Sequence, residues 1–254
     1  MATLSSLFPV SQYLAGASAA GSFSQLYVYN TSTDSPQNGG RCCQFTVPAG
    51  TTWIRFELWG GGSDGPGSCC CQQPNAAGGA GAYARKTVTA VAGNTYTICA
   101  GGSGCCATAC CGTQGFTSYV TGGTSTGAVN MCAAGGPPSC SLCWVGYNGC
   151  GCIGNTETCR SGSFTGADFG LPAIGGASNP SSCGFTSWQY VPSGPYIGSG
   201  VRHSWDYCNS SSGCASLGGY ASFPGGGGGG GVSNGGGCCW GSPGAGGLVV
   251  VSYR

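Results

Sequence analysis

The chain has 254 residues, of which 54 are glycine, 21 cysteine and 13 proline, and only 5% are charged, for a net charge of +1. Seven basic residues spread over this length cannot neutralise a phosphate track, so the composition argues against a nucleic-acid binder. No run of about 18 apolar residues exists to cross a bilayer as a helix, and no strict Gly-X-Y period exists to build collagen.

Residues 1–40 differ from the rest in having no cysteine and little glycine until their end. Leu4, Leu7, Phe8, Val10, Tyr13 and Leu14 are followed by a strand-like SQLYVYN (24–30) and a polar stretch, TSTDSPQNGG (31–40). The beginning lacks a basic region, and Pro9, Ser11 and Gln12 interrupt its apolar run, so a classical secretory signal is not expected. Residues 1–40 read as an attachment or assembly arm, with extra strands on the main domain as the alternative. Residues 41–254 read as one glycine- and cysteine-rich β domain.

The stretch TTWIRFELWGGG (51–62) is the clearest element. Ile54, Phe56 and Leu58 alternate with Trp53, Arg55, Glu57 and Trp59, the period of a half-buried strand. Pro48-Ala49-Gly50 before it reads as a turn, and Phe45 and Val47 alternate ahead of that turn. The strand ends abruptly in glycine at Gly60. A glycine and cysteine loop follows, then AYARKTVTAV (82–91) as a strand, Gly93-Asn94 as a turn and TYTICA (95–100) as the next strand, with Tyr96 and Ile98 on one side. Another glycine and cysteine loop (101–111) leads to a short strand, FTSYV (116–120). From 122 to 247 short apolar pieces stand between glycine turns, including seven consecutive glycines at 225–231. The closing GLVVVSYR (247–254) is an apolar strand. Left unpaired it would be an aggregation edge, so it is predicted to pair near the central strand.

Helix signals are nearly absent, because each interior glycine would cost on the order of 1 kcal/mol. The 6 Trp, 12 Tyr and 9 Phe reward burial and argue against a disordered chain. The predicted fold is therefore all-β: a glycine-rich, β-sandwich-like domain. Its glycine segments are either flexible loops or extended helices of the polyglycine II kind, which have polyproline II geometry and no internal hydrogen bonds. The second account is preferred, because cysteines in the same loops could offset the cost of ordering glycine.

Adjacent cysteines are the strongest anomaly: Cys42 and Cys43; Cys69, Cys70 and Cys71; Cys105 and Cys106; Cys110 and Cys111; Cys238 and Cys239. They are disulfide candidates of undetermined connectivity, and the odd total leaves at least one thiol free or bonded between chains. Thiolate–metal clusters are the rival, but Cys140 to Cys143 is the sole CxxC, so no metal and no cofactor is expected. The disulfide reading implies an oxidising final environment.

Catalytic machinery is hard to assemble. His203 is the one histidine, with Asp206 nearby, and a lone histidine in an aromatic loop reads as structural. The six carboxylates form few pairs, and Glu57 shares a face with Arg55, which suggests a local ion pair. Gly60-Gly61-Gly62 lacks the lysine and the helix of a phosphate loop. No enzyme activity is expected. The asparagines of Asn30-Thr-Ser32 and Asn209-Ser-Ser211 match the glycosylation pattern at near chance frequency. Trp188, Tyr190, Tyr196, Trp205 and Tyr207 gather in one glycine- and serine-rich stretch. They are either candidate surface recognition residues, suited to sugars, or the core of that region.

FTVPAG (45–50), WIRFELWGGG (53–62), GGAGAYA (78–84) and GAGGLVVV (244–251) together resemble the glycine-rich domain of bacteriophage tail fibres and related virion proteins. The likeness covers residues 45 to about 100 and 240–254; the middle matches only in glycine content, and the cysteine load departs from the family pattern. The resemblance implies a non-enzymatic structural protein of the virion, extracellular once released: a tail fibre, an adhesin or a capsid decoration protein. It implies partners among other virion proteins and its own copies, a trimer by analogy with fibres, and contact with a host-surface glycan. The alternative is a secreted cysteine-rich matrix or filament subunit made by a cell.

Overall fold

The computed structural model describes residues 24–30, 40–65, 68–69, 78–104, 112–138, 163–172, 185–187, 203–205, 214–216, 221, 223–228, 232–233, 238–239 and 241–254. In chain order the strands are β1 (Ser24–Tyr29), β2 (Gly40–Thr46), β3 (Trp53–Trp59), β4 (Ser68–Cys69), β5 (Tyr83–Thr89), β6 (Thr95–Gly101), β7 (Ser118–Gly122), β8 (Val129–Ala133), β9 (Phe164–Thr165), β10 (Phe169–Leu171), β11 (Phe185–Ser187), β12 (His203–Trp205), β13 (Cys214–Ser216), β14 (Val232–Ser233), β15 (Cys238–Cys239) and β16 (Leu248–Tyr253). Among the described residues the only helical turn is a 3-10 turn, Ser125–Gly127.

Two five-stranded antiparallel sheets, β1-β16-β3-β5-β10 and β2-β6-β7-β8-β9, pack face to face. Alternation on each strand decides what lies between them. Ile54, Phe56 and Leu58 of β3 and Val249 and Val251 of β16 come from the first sheet. Tyr96, Ile98 and Ala100 of β6, Val120 of β7 and Met131 of β8 come from the second, in the same cluster. Phe56 and Tyr96 meet edge to face with centroids 5.0 Å apart. Ser118, fully buried, ties the layers: its hydroxyl donates to the Trp59 carbonyl at 2.6 Å and accepts from the Gly101 N–H at 2.9 Å.

The terminal strand pairs with the central strand as expected, Val249 opposite Leu58 and Val251 opposite Phe56. β16 takes β1 on its other side. The SQLYVYN piece is thus an edge strand of the first sheet; residues 1–23 and 31–39 lie outside the described residues. The turn expected at 48–50 is present, with Gly50 at φ 83° and Thr51 N–H donating to the Pro48 carbonyl at 3.4 Å. β2 pairs with β6 and β3 with β16 and β5, so the turn carries the chain from one sheet to the other. β3 is not half-buried at its end: Trp59 on the outer face packs with Tyr83, Leu248 and Val250 as a second apolar cluster. The strand expected at 116–120 begins at Ser118, and β8 emerges from the stretch that had no clear pattern, burying Val129, Met131 and Ala133.

The glycines beyond β3 are ordered by one another. Going along 60–65, successive N–H groups donate to three different segments in rotation. Gly60 donates to Ala82 (2.9 Å), Gly61 to Phe116 (2.9 Å) and Gly62 to Ala245 (2.8 Å). Ser63 then donates to Gly79 (2.9 Å), Asp64 to Thr113 (3.3 Å) and Gly65 to Ser242 (3.0 Å). A repeat of three is the signature of polyglycine II, which turns once every three residues. The carbonyls point to three other segments: Gly136 N–H donates to Gly61 (2.7 Å), Gly104 to Gly62 (2.8 Å) and Gly228 to Ser63 (2.8 Å). The 60–65 segment therefore runs as the axis of a bundle, with 78–82, 112–116 and 242–247 antiparallel to it and 101–104, 134–137 and 225–228 parallel to it. At the glycine positions of the axis only a hydrogen side chain permits this spacing. A Cβ on Gly61 would lie 1.9 Å from the Gly102 oxygen, and one on Gly62 would lie 1.8 Å from the Gly226 oxygen.

A disulfide joins Cys42 and Cys99, opposite partners on β2 and β6, with Cα atoms 4.0 Å apart. It closes a loop of 57 residues, and such a link typically contributes about 2–4 kcal/mol by restricting the unfolded chain. Cys42→Ser is expected to lower stability by about that amount in chemical unfolding, measured beside the unmodified chain under non-reducing conditions. Its partner Cys99 had no local sequence signal, because only the strand register brings the two together.

Candidate functional site

The sandwich and the bundle are one continuous object. β3, β6 and β8 run out into 60–65, 101–104 and 134–137; 78–82, 112–116 and 242–247 run back into β5, β7 and β16. The antiparallel pairings place residues 65, 104, 137 and 228 at the end of the bundle away from the sandwich, together with 78, 112 and 242. Connections 66–77, 105–111 and 229–241 therefore both leave from and return to this one end. They carry Cys69 to Cys71, Cys105, Cys106, Cys110, Cys111, Cys238 and Cys239. The cysteine-rich connections are thus gathered by the direction of the glycine segments, not by their own sequences. Two of them touch through a short ladder, β4 with β15.

The bundle itself offers no anion cradle. The N–H groups of Gly60, Gly61 and Gly62 all donate to carbonyls within the protein, so the glycine triplet after β3 is structural. Asp64, buried in the same segment, accepts the Thr113 N–H on Oδ1.

The outer face of the first sheet carries the ionisable cluster. The Tyr83 hydroxyl donates to Glu57 Oε1 at 2.7 Å, and Arg55 Nε lies 3.4 Å from Glu57 Oε2, the local ion pair expected from the shared face. Arg85 stacks over Phe169 at 5.3 Å from the ring centroid. Lys86, the one lysine, stands on the other face of β5, opposite Phe56, and reaches Asp168 at 3.6 Å; the same carboxylate accepts the Thr87 N–H at 2.9 Å. Each of these carboxylates is engaged by its neighbours, an arrangement that holds strands in register. Burial pushes the Tyr83 hydroxyl pKa strongly up, and its bond to the Glu57 carboxylate adds to this. Burial also raises that of Tyr96, whose hydroxyl donates to the Gly127 carbonyl at 2.6 Å.

These two tyrosines set an alkaline limit. Unfolded tyrosine ionises near pH 10. With the folded values raised, the stabilising contribution is complete below that pH and is lost as pH rises toward the folded values. Melting temperature is expected to fall above about pH 10, and Tyr83→Phe should make that decline shallower in thermal melts between pH 8 and 12.

Two thiols in the second sheet are free. Cys43, half-buried against the core, has its thiol pKa pushed up by burial, so it carries little reactive thiolate. Cys132 lies 3.2 Å from the Thr165 hydroxyl. Among the described residues no three histidine, cysteine or acidic side chains come together to hold a metal ion. Asn30, one of the two glycosylation matches, is buried at the start of the bundle, with its N–H donating to the Gly247 carbonyl at 3.3 Å.

Of the aromatic recognition candidates, Trp188, Tyr190, Tyr196 and Tyr207 lie outside the described residues. Trp205 is placed only by its backbone, opposite Phe185 in the β11–β12 ladder, and His203 opposite Ser187. Cys70, Cys71, Cys105, Cys106, Cys110 and Cys111 also lie outside the described residues.

Fold and bundle together define a class: an all-β sandwich whose strands continue into a hydrogen-bonded polyglycine array. Residues 34–254 match the model of the glycine-rich domain family, and the chain belongs to that family. No curated protein matches the chain.

Proposed function

We propose that this chain is a structural protein on the surface of a virion, a bacteriophage tail fibre, adhesin or capsid decoration protein, that presents its connecting loops for attachment. The observation that carries the reading is the bundle: one glycine segment bonded to six others, rooted in the sandwich, with connections 66–77, 105–111 and 229–241 leaving from and returning to its free end. Such a core spends its hydrogen-bonding capacity on rigidity, while the loop tips supply a surface whose chemistry can change without disturbing it. Motif resemblance at 45–62, 78–84 and 244–251 and membership of the glycine-rich domain family agree with this reading. The protein works without catalysis or cofactor, assembles with its own copies as a trimer and with other virion proteins, and meets a glycan on the host surface.

The test is mass spectrometry of density-purified particles with immunogold labelling against this chain. The expected result is stoichiometric presence with label on the outside. Its absence from particles, together with recovery from a cellular matrix or filaments, would replace this reading with that of a secreted matrix subunit. Glycan binding is tested separately: replacing Trp188, Tyr190, Tyr196, Trp205 and Tyr207 by alanine should abolish it without changing the far-ultraviolet spectrum.

A further inference from the structure

We propose that Cys69 and Cys238 form a disulfide that locks the free end of the glycine bundle. The two lie directly opposite each other in the antiparallel ladder of β4 and β15, with Cys239 opposite Ser68. Direct antiparallel partners have Cβ atoms about 4.5–5.5 Å apart, closer in non-hydrogen-bonded pairs, and a disulfide spans Cα separations of roughly 4.4–6.8 Å. The same relation already yields a bond in this protein, since Cys42 and Cys99 are opposite partners on β2 and β6. Within the ladder the register sets Cys238, not Cys239, opposite Cys69.

The position has a mechanical consequence. β4 follows the axial segment 60–65, and β15 precedes 242–247; the two segments are already joined by Gly62 to Ala245 and Gly65 to Ser242. A covalent link just beyond Gly65 and Ser242 keeps the axis and this neighbour from separating at their free end. It couples 69 to 238, across most of the chain, and so restricts the unfolded state strongly. Formation needs a disulfide oxidant such as glutathione disulfide. The thiolate of one cysteine attacks it, releasing one glutathione thiolate and leaving a mixed disulfide. The second cysteine's thiolate then displaces the other glutathione. Two protein thiols are oxidised, and one glutathione disulfide is reduced to two thiols. The bundle end is therefore locked only after the protein reaches an oxidising medium. This inference stands apart from the virion reading and fails or succeeds without it.

The experiment is peptide mapping of the full chain, purified under air, with free thiols blocked before digestion. Chymotrypsin cuts after Trp59, Tyr83 and Trp240, giving a 60–83 fragment and a fragment that ends at Trp240. The expected product is these two fragments cross-linked, resolved by fragmentation to Cys69–Cys238, absent after reduction and absent in Cys238→Ser. The melting temperature of Cys69→Ser should fall by roughly 5–10 °C, and Cys238→Ser should match it without a further loss in the double variant. Recovery of either cysteine as the blocked thiol, or bonded to a different partner, in the unmodified chain overturns the proposal. That map decides even where a variant fails to fold.

Discussion

Replacing Gly61 by alanine is expected to abolish the folded state, although the change adds one methyl group. Gly61 donates to the Phe116 carbonyl and accepts from Gly136, and its missing side chain is the gap into which the Gly102 carbonyl fits. The new Cβ would lie 1.9 Å from that oxygen and 2.7 Å from its carbon, both backbone atoms that no rotamer change can move. Relief requires the 101–104 segment to withdraw, which breaks the Gly104 to Gly62 and Phe116 to Gly102 bonds and opens the axis to its neighbours. Overpacking in a close-packed interior commonly costs about 1–3 kcal/mol. With several buried backbone groups also left unpaired at about 1–3 kcal/mol each, the total matches the stability of a typical domain. Gly50→Ala is the control. Its Cβ meets nothing within 4 Å, and the cost is only the left-handed backbone at φ 83°, about 1–2 kcal/mol. Circular dichroism and urea unfolding should show a folded, slightly weakened Gly50→Ala and an unfolded or insoluble Gly61→Ala. Equal behaviour of the two would mean that the glycines serve chain flexibility rather than close approach.

Phe56→Ala is expected to destabilise the protein by about 3–5 kcal/mol. The ring is fully buried between the sheets, opposite Val251 on one side strand and Lys86 on the other, and packs edge to face on Tyr96 from the second sheet. Its loss removes transferred apolar area and one of the aromatic contacts that join the two sheets. Denaturant melts should show a lower midpoint with an unchanged slope. A loss below about 1 kcal/mol would mean that the layers do not depend on this contact.

Chain patterns carried part of this architecture plainly. Alternation in TTWIRFELW, AYARKTVT and TYTICA located β3, β5 and β6, because a strand with one buried face writes its period into neighbouring residues. The need of three consecutive valines for a partner located the role of β16. β8, VNMCA, escaped notice because five residues are too few for its alternation to stand out from its surroundings. The outer cluster of Trp59, Tyr83, Leu248 and Val250 escaped because Trp59 and Tyr83 sit on the face of their strands that carries Arg55, Glu57 and Arg85. Only the assembled register makes them adjacent. Cys99 as partner of Cys42 was invisible for the same reason.

Composition and local order alone determined that this protein is β-structured, that its apolar strands give way to glycine and that its cysteines cluster in the connections between glycine segments. Those properties depend on each residue's own backbone freedom, side-chain size and near neighbours. Tertiary structure alone decided which strands share a sheet, which sulfurs face each other and whether glycine stays loose or sets into an array. A polyglycine segment has no bond to itself; every N–H and carbonyl of 60–65 that is satisfied is satisfied by residues far along the chain, so its order exists only once all the neighbours are in place.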